Sequence, residues 1–332
     1  MSDVTSRRAF LSSVTVTGAV LAGAVAPWAR AAGAVGGPNA DAAADPNAPA
    51  GAAGTLLIGG DLQVNRLGFG AMRITGDGIW GEPRDANEAF AVLRRAVQLG
   101  TNFIDTADAY GPYISERLIR EALYPYPRGL LIATKGGQVR PRRDEWLADG
   151  RPEHLRAACE SSLTRLKLER IDLYQLHRPD PEVPYEDSIG ALAKLQKEGK
   201  IRHIGVSNVN AEQLAKARAI VRVVSVQNRY NVADRSSDEV LGICEREQIA
   251  FLPWGPLAQA AQASNTPNQS LVALQAIAKE RKIDNNEAAL AWLLTRSPVM
   301  LPIPGTSQVK HLEDNVGAAK IKLTPEEMAR VG

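Results

Sequence analysis

The sequence predicts an α/β fold, a (β/α)8 barrel of the TIM type with an N-terminal β-hairpin. Short β-branched runs that end in polar or glycine residues alternate with longer segments of helical period, and eight such pairs can be counted. Parallel strands that are this apolar must be buried on both faces of the sheet. A closed barrel buries both faces and leaves no exposed sheet edge. These two observations favour the barrel.

Each strand candidate contains a short run of apolar residues. They are Arg66–Met72, Asn102–Thr106, Gly129–Thr134, Ile171–His177, His203–Ser207, Val223–Asn228, Ala250–Trp254 and Met300–Pro304. Ahead of the first, Thr55–Ile58 and Asp61–Val64 flank Gly59-Gly60, a two-residue turn that predicts the hairpin.

Amphipathic stretches separate the strands and include Asp85–Leu99, Pro152–Leu168, Tyr185–Glu198, Ser236–Gln248 and Glu287–Arg296. An open doubly wound sheet is the competing architecture. The segment from Gly68 to Met72 is too short for a Gly-x-Gly-x-x-Gly turn and opens no phosphate-binding helix, so the sequence disfavours a dinucleotide-binding Rossmann domain.

The overall charge excludes one class of partner. The chain has 39 Lys and Arg against 37 Asp and Glu, a net charge of +2, so it lacks the basic surface that nucleic acid binding requires.

The two cysteines, Cys159 and Cys244, lie among apolar residues at helical spacing and are predicted to be buried free thiols. The histidines are scattered and neither cysteine has a neighbour at ligand spacing, so no metal site is predicted.

The N-terminus, residues 1–31, resembles a twin-arginine signal peptide. Arg7-Arg8 precedes an apolar run from Ala9 to Ala26, and Ala29-Arg30-Ala31 presents small residues at the spacing that a signal peptidase reads. The resemblance implies the twin-arginine translocase as a partner, cleavage after Ala31 and a periplasmic or extracellular location. A start-site artefact or an uncleaved anchor helix is the alternative. No stable membrane span is expected in the mature form.

Residues 32–54 contain Ala, Gly, Pro and Asn with almost nothing large enough to bury, and are predicted to be a disordered linker. The barrel domain is predicted to span residues 55–332.

Four side chains that can exchange protons lie at or just after strand ends, where the loops of a barrel converge. They are Asp105, Tyr110, Lys135 and His177. An ammonium beside a phenol favours the phenolate, so we expect Lys135 to lower the pKa of Tyr110 and Asp105 to pair with Lys135. Each residue alone is more often a packing group or a buried ion pair; their placement on consecutive strands is what indicates a site.

These residues lie in a segment that resembles the aldo-keto reductase family. Residues 100–111, Gly-Thr-Asn-Phe-Ile-Asp-Thr-Ala-Asp-Ala-Tyr-Gly, resemble its first signature. The resemblance implies that Tyr110 is the general acid, that Lys135 and Asp105 tune it, and that His177 orients the carbonyl. It also implies hydride transfer from a nicotinamide to an aldehyde or ketone.

The resemblance also implies a cofactor site for NADP(H). Its members would be Gly70, Ala71, Met72, Asp105, Ser207, Asn208, Gln227, Trp254, Gly255, Pro256, Leu257, Ile303, Gly305, Thr306, Ser307, His311, Asp314 and Asn315. Trp254 stands where the family usually stacks a tyrosine on the nicotinamide. Gly305 and His311 stand where many relatives place a lysine and an arginine against the 2′-phosphate, which leaves NAD(H) as an alternative.

The loop from Thr75 to Pro83 resembles a bacterial subgroup that includes pyridoxal reductase-like proteins, and places Trp80 over the substrate pocket. A barrel cap is the alternative role for Trp80. The sequence leaves two other functions open. One is a cofactor-binding redox sensor or regulatory subunit with little turnover, and the other is a Schiff-base enzyme that uses Lys135 as nucleophile.

Overall fold

The computed structural model describes residues 45, 47–258 and 267–332. The predicted signal peptide and the larger part of the predicted linker, residues 32–44 and 46, lie outside the described residues. No helix in the described part of the chain is both long and apolar enough to span a bilayer. Cys159 and Cys244 are both buried free thiols.

Apolar runs form one parallel sheet of seven strands. They are β3 (Phe69–Gly70), β4 (Phe103–Asp105), β5 (Leu131–Gly136), β8 (Ile171–Leu176), β9 (Ile201–Ser207), β10 (Val223–Gln227) and β11 (Ala250–Phe251). Each pairs in parallel with the next in this order. Alternate side chains serve two cores: Phe103 joins the cluster inside the barrel, while Ile104 joins the cluster beneath the helices.

The eighth predicted strand closes the barrel as an irregular segment. Leu301 N donates to Phe251 O at 2.8 Å, and Gly68 N donates to Pro302 O at 2.9 Å. Pro302 and Pro304 have no N–H, so this segment cannot form a regular series of backbone hydrogen bonds with both neighbouring strands, β3 and β11. With this closing segment, the parallel sheet forms the predicted (β/α)8 barrel.

The N-terminal hairpin, β1 (Thr55–Ile58) and β2 (Leu62–Asn65), is antiparallel with Ile58 opposite Leu62. The connection therefore has three residues rather than the predicted two. Gly59 has φ +65°, and a Cβ there would lie 2.6 Å from Cε1 of His203, so only glycine fits. Ile58 and Leu62 belong to the interior cluster and close the N-terminal end of the barrel.

A second hairpin, β6 (Gln138–Val139) with β7 (Leu147–Ala148), follows β5. The helices are α1 (Ala86–Gln98), α2 (Ile114–Leu123), α3 (Pro152–Leu166), α4 (Tyr185–Lys197), α5 (Ala211–Ile220), α6 (Asp238–Glu247), α7 (Gln269–Arg281), α8 (Asn285–Arg296), α9 (Val309–Gly317) and α10 (Pro325–Val331). Several begin at capping residues: the Asp85 side chain accepts from the N–H groups of Asn87 and Glu88, and Asn210, Asp284 and Thr324 form capping boxes.

The packed chain begins before residue 55, which corrects the predicted end of the linker. Pro49–Ala53 forms a 3-10 helix, and Ala50 is fully buried with its N–H donating to Leu99 O at 2.9 Å. Composition alone does not show this, because whether a methyl group is buried depends on how closely its neighbours in the fold pack around it.

Candidate active site

The C-terminal ends of neighbouring strands bring the four predicted catalytic side chains together. Asp105 ends β4, Lys135 lies in β5, and His177 follows β8. Tyr110 comes from the loop after β4, where its backbone is held by hydrogen bonds from Tyr110 N to Ala107 O at 3.2 Å and from Ser115 N to Tyr110 O at 3.1 Å. All four side chains are buried.

Lys135 is the centre of the cluster and is fully buried. Its Nζ lies 2.6 Å from Asp105 Oδ2, 2.9 Å from Thr106 O and 3.2 Å from Tyr110 OH. Burial by itself lowers the pKa of Lys135, but Asp105 and Tyr110 outweigh it and the pKa lies above its usual 10.5. The amine therefore stays protonated, which disfavours the Schiff-base alternative, since a nucleophilic lysine must lose its proton.

The second carboxylate oxygen of Asp105 holds the cluster to the barrel interior. Asp105 Oδ1 accepts from Gln175 Nε2 at 3.1 Å and from Gln227 Nε2 at 2.8 Å. The sequence pointed to Gln227 as a cofactor residue but did not single out Gln175. Both glutamines are buried, so amide donors and one ammonium satisfy this carboxylate away from water.

The pKa of Tyr110 differs from the expectation. Burial raises it above the usual 10, Asp105 adds to the rise, and Lys135 only partly opposes them. The expectation included the ammonium but not the loss of water around the phenol. Tyr110 is consequently a protonated phenol that faces a permanent positive charge.

His177 lies against Tyr110, with ring centroids 5.7 Å apart and planes at 85°. Burial, followed by the charges of Lys135 and Arg178, holds the pKa of His177 well below 6.5, so its ring is neutral at physiological pH. Its Nδ1 has no hydrogen-bond partner among the described residues. The ring thus presents a neutral, unsatisfied imidazole beside the phenol.

A groove of about 790 Å³ crosses the strand ends, and of the four predicted catalytic residues Asp105 and Tyr110 line it. The predicted cofactor residues that line it are Gly70, Met72, Asp105, Ser207, Asn208, Gln227, Trp254, Gly255, Pro256, Leu257, Ile303 and Gly305, together with Tyr110. Asn208 adopts φ +58° and connects two parts of the site, because its Nδ2 donates to His177 O at 3.0 Å and its Oδ1 accepts from Trp254 Nε1 at 3.0 Å.

The groove has the chemistry that a nicotinamide dinucleotide requires. Trp254 is 36% exposed and offers an indole face on its wall, while amide side chains of Asn208 and Gln227 lie at the end near Tyr110. Gly255 has φ +64° and open space at its Cβ position, so its backbone can be approached closely. The residues present fit the cofactor.

Comparisons with known proteins agree with this geometry. The profile of the aldo/keto reductase family matches residues 66–332. The chain belongs to the aldo/keto reductase family. It is 51% identical over 279 residues to an uncharacterized oxidoreductase from Schizosaccharomyces pombe, covering 84% of this chain and 89% of that one. It is 43% identical over 276 residues to pyridoxine 4-dehydrogenase from Escherichia coli, covering 81% and 94%.

Solved structures give the same family. The glycerol dehydrogenase of Gluconobacter oxydans superposes with a TM-score of 0.75 at 27% identity, covering 84% of this chain and 94% of that one. An aldo-keto reductase from Klebsiella pneumoniae in complex with NADPH gives 0.69 at 25% identity, covering 83% and 93%. This aldo/keto reductase is therefore an oxidoreductase with the barrel fold of its family.

Some predicted cofactor residues of this aldo/keto reductase lie outside the groove. Ala71 is fully buried because the 3-10 helix Ala71–Ile74 turns its methyl group into the core, and it does not line the groove. Thr306, Ser307, His311, Asp314 and Asn315 do not line the groove either, and Ser307 lines a second groove beside it.

Sequence reasoning missed seven residues that line the groove, namely Arg73, Arg229, Asn231, Ala233, Asp234, Ala258 and Pro304. Arg229 and its neighbours follow β10, so the rule that strand ends converge on the site could have found them. The Arg229 guanidinium pairs with Asp234 at 3.0 Å and lies 5.6 Å from the centre of the Trp254 ring.

Trp80 is half-buried and pairs through its backbone with Gly111, next to Tyr110. The Arg140 guanidinium lies 5.4 Å from the centre of the Trp80 ring and 3.6 Å from that of Trp146. Arg140 also donates to the carbonyls of Gly78 and Ile79. Arg140 therefore holds the Trp80 loop in place next to Tyr110.

Proposed function

We propose that the protein reduces aldehydes and ketones to alcohols with NADP(H), and that Tyr110 is the general acid. The observation that carries this proposal is the contact of Tyr110 OH with the buried Lys135 ammonium, 3.2 Å away, where the groove ends. When bound, NADPH supplies the hydride that reduces the carbonyl carbon. Side chains of the protein then orient the carbonyl oxygen and supply its proton.

Tyr110 supplies the proton. As hydride reaches the carbon, negative charge develops on the carbonyl oxygen, and a phenol O–H that points at this oxygen first donates a hydrogen bond and then transfers its proton. The raised pKa of Tyr110 keeps the phenol protonated at neutral pH. Lys135 stabilises the phenolate that is left, and the proton that balances the hydride returns from solvent after the alcohol departs.

His177 orients the same oxygen. Because its pKa is well below 6.5, the ring is neutral and donates through one nitrogen only. A neutral donor polarises the carbonyl without competing with Tyr110 for the proton. Its edge-on packing against Tyr110 supports this role, because it brings the imidazole next to the phenol.

The cofactor assignment follows from the groove and the relatives. Trp254 would stack on the nicotinamide, with Asn208 and Gln227 at its carboxamide. Two Klebsiella pneumoniae neighbours were solved with NADPH or NADP. The Escherichia coli relative, named pyridoxine 4-dehydrogenase, makes pyridoxal a sensible member of any substrate panel, and Trp80 offers an aromatic surface for such a ring.

The test is a stopped-flow measurement of NADPH oxidation with a panel of aliphatic, aromatic and pyridoxal-type aldehydes. Tyr110→Phe should lower kcat by about 100-fold or more, because the proton donor is lost. Tyr174→Phe is the matched control: Tyr174 is fully buried and its hydroxyl has no hydrogen-bond partner in the described part of the chain. Normal turnover in Tyr110→Phe, or a wild type that binds NADPH but reduces none of the panel, refutes the proposal.

We also propose that the protein is exported in folded form. The support is the arrangement of Arg7-Arg8, the apolar run after it and the Ala29-Arg30-Ala31 site. The twin-arginine route, by resemblance, carries folded proteins, so a cofactor bound before transport would travel with the enzyme.

A further inference from the structure

Arg73 is a cation at the junction of two grooves. Its side chain lines the cofactor groove and also the adjoining groove of about 580 Å³. It is exposed and makes no hydrogen bond or ion pair with any described residue. An exposed arginine that lacks a partner beside a dinucleotide groove is free to bind a phosphate group.

The other cations of the two grooves are engaged. Arg84 pairs with Asp77 on the wall of the second groove, and Arg229 pairs with Asp234 at the far side of the first. Arg73 is thus the only Lys or Arg among the residues that line either groove, within the described ranges, that is not already neutralised.

Arg73 also lies next to Gly305, a position that has no side chain. Residue 305, where the family resemblance led us to look for a lysine, is glycine because a Cβ there would collide with the carbonyl oxygen of Gly70. Cγ of Arg73 lies 3.5 Å from that Cβ position. The Arg73 side chain, which comes from the 3-10 helix that follows β3, therefore passes beside the point where a residue-305 side chain would begin.

The start of α9 is already occupied by protein groups. Thr306 Oγ1 accepts from Gln308 N at 3.1 Å, and the N–H of Val309 donates to a carboxylate oxygen of Glu88 at 3.3 Å. A carboxylate at this helix start repels a phosphate. A phosphate group is consequently better placed on the Arg73 side of Gly305.

We propose that Arg73 binds a phosphate group of the dinucleotide and so sets its affinity, a role that rests on the proposed NADP(H)-dependent function. The guanidinium would form charge-assisted hydrogen bonds to phosphate oxygens, and its flexible exposed stem lets it close over the bound molecule. Two phosphate sources fit this chemistry: the 2′-phosphate, which only NADP(H) has, and the pyrophosphate, which NADP(H) and NAD(H) share.

The test is isothermal titration calorimetry of the full chain with NADP+ and, separately, with NAD+. The variants are Arg73→Gln, Arg73→Lys and the control Arg84→Gln, which removes the same charge from the neighbouring wall. Arg73→Gln should raise the Kd for NADP+ about tenfold, because a hydrogen bond to a charged group is lost. Arg73→Lys should recover part of the affinity, and Arg84→Gln should change Kd by less than about twofold.

The two cofactors distinguish the phosphates. If Arg73→Gln weakens NADP+ alone, Arg73 binds the 2′-phosphate; if it weakens both equally, Arg73 binds the pyrophosphate. Wild-type affinity for both cofactors in Arg73→Gln, or an equal loss in Arg84→Gln, overturns the inference and leaves the proposed function intact. A wild-type protein that binds neither cofactor overturns the proposed function itself, so the two failures are separable.

Discussion

Replacing Lys135 by methionine should separate the structural role of this residue from its chemical role. The substitution keeps the length of the side chain but removes the ammonium that contacts Asp105, Thr106 and Tyr110. Asp105 is then left as a buried carboxylate without its cation. We expect a large loss of stability and a large loss of turnover, and a second substitution can tell them apart.

The contacts of Asp105 set the size of the stability loss. With Lys135 Nζ 2.6 Å from Asp105 Oδ2, the attraction is about 6 kcal/mol at an effective dielectric constant of about 20. Removing the ammonium also removes its own desolvation cost, so breaking a buried pair typically costs about 3–5 kcal/mol. Gln175 and Gln227 still donate to Asp105, so we expect the lower value, about 3 kcal/mol in the free energy of unfolding.

The decisive variant is the double substitution Asp105→Asn with Lys135→Met. It leaves no unpaired charge in the cluster, so its free energy of unfolding should return to within about 1 kcal/mol of wild type. Its kcat should stay at least about 100-fold below wild type, as in the single variant, because the phenol has lost its ammonium neighbour. Urea unfolding followed by both fluorescence and circular dichroism gives the stabilities, and NADPH oxidation gives kcat.

Two results would refute this reasoning. If the double variant is as unstable as Lys135→Met, the loss comes from packing and not from an uncompensated carboxylate. If the double variant recovers turnover together with stability, the ammonium has no part in proton transfer. Asp105→Asn alone serves as the reference that completes the cycle.

Asp108→Asn should stabilise the protein at neutral pH. Burial, with Glu116 adding to it, raises the pKa of Asp108 well above 3.8, and its Oδ1 has no partner among the described residues. A carboxyl whose pKa is higher in the folded state destabilises the fold when it ionises. Asp108 therefore costs no stability below about pH 4, where it is protonated in both states, and the cost grows as the pH rises. Asparagine cannot ionise, so urea denaturation should show a free energy of unfolding about 1–3 kcal/mol higher at pH 7 and unchanged near pH 4. An equal gain at pH 7 and pH 4 would contradict this explanation. Changing Arg7 and Arg8 to lysine should retain the full chain in the cytoplasm of a bacterium with a twin-arginine translocase, as fractionation and immunoblotting would show; unchanged export would exclude the predicted signal.

Sequence patterns predicted the barrel because its strands are apolar on both faces and end in polar residues. The chain order alone was enough to place Asp105, Lys135 and His177 together, because neighbouring parallel strands end on the same rim. The irregular closure at Pro302 was harder to foresee, since its missing N–H matters only once both neighbouring strands are known.

The parts of the site that escaped prediction depend on burial and on free space. Arg73 follows β3 in a 3-10 helix, and nothing in the chain order shows that its side chain approaches Gly305. Ala71, which begins the same helix, directs its methyl group into the core. Side-chain direction in a short irregular helix has no sequence period from which to read it.

The raised pKa of Tyr110 connects the buried pair to the proposed chemistry. A phenol removed from water keeps its proton, and a protonated donor is what reduction of a carbonyl needs, but the phenolate left behind must also be stabilised. A lysine in water would provide little of this stabilisation. Lys135 is instead fully buried, and its bond to Asp105 holds its Nζ 3.2 Å from Tyr110 OH. An ion pair of this kind adds little to stability compared with apolar packing, so under the proposed function its value lies in holding one positive charge beside the phenol that gives up its proton.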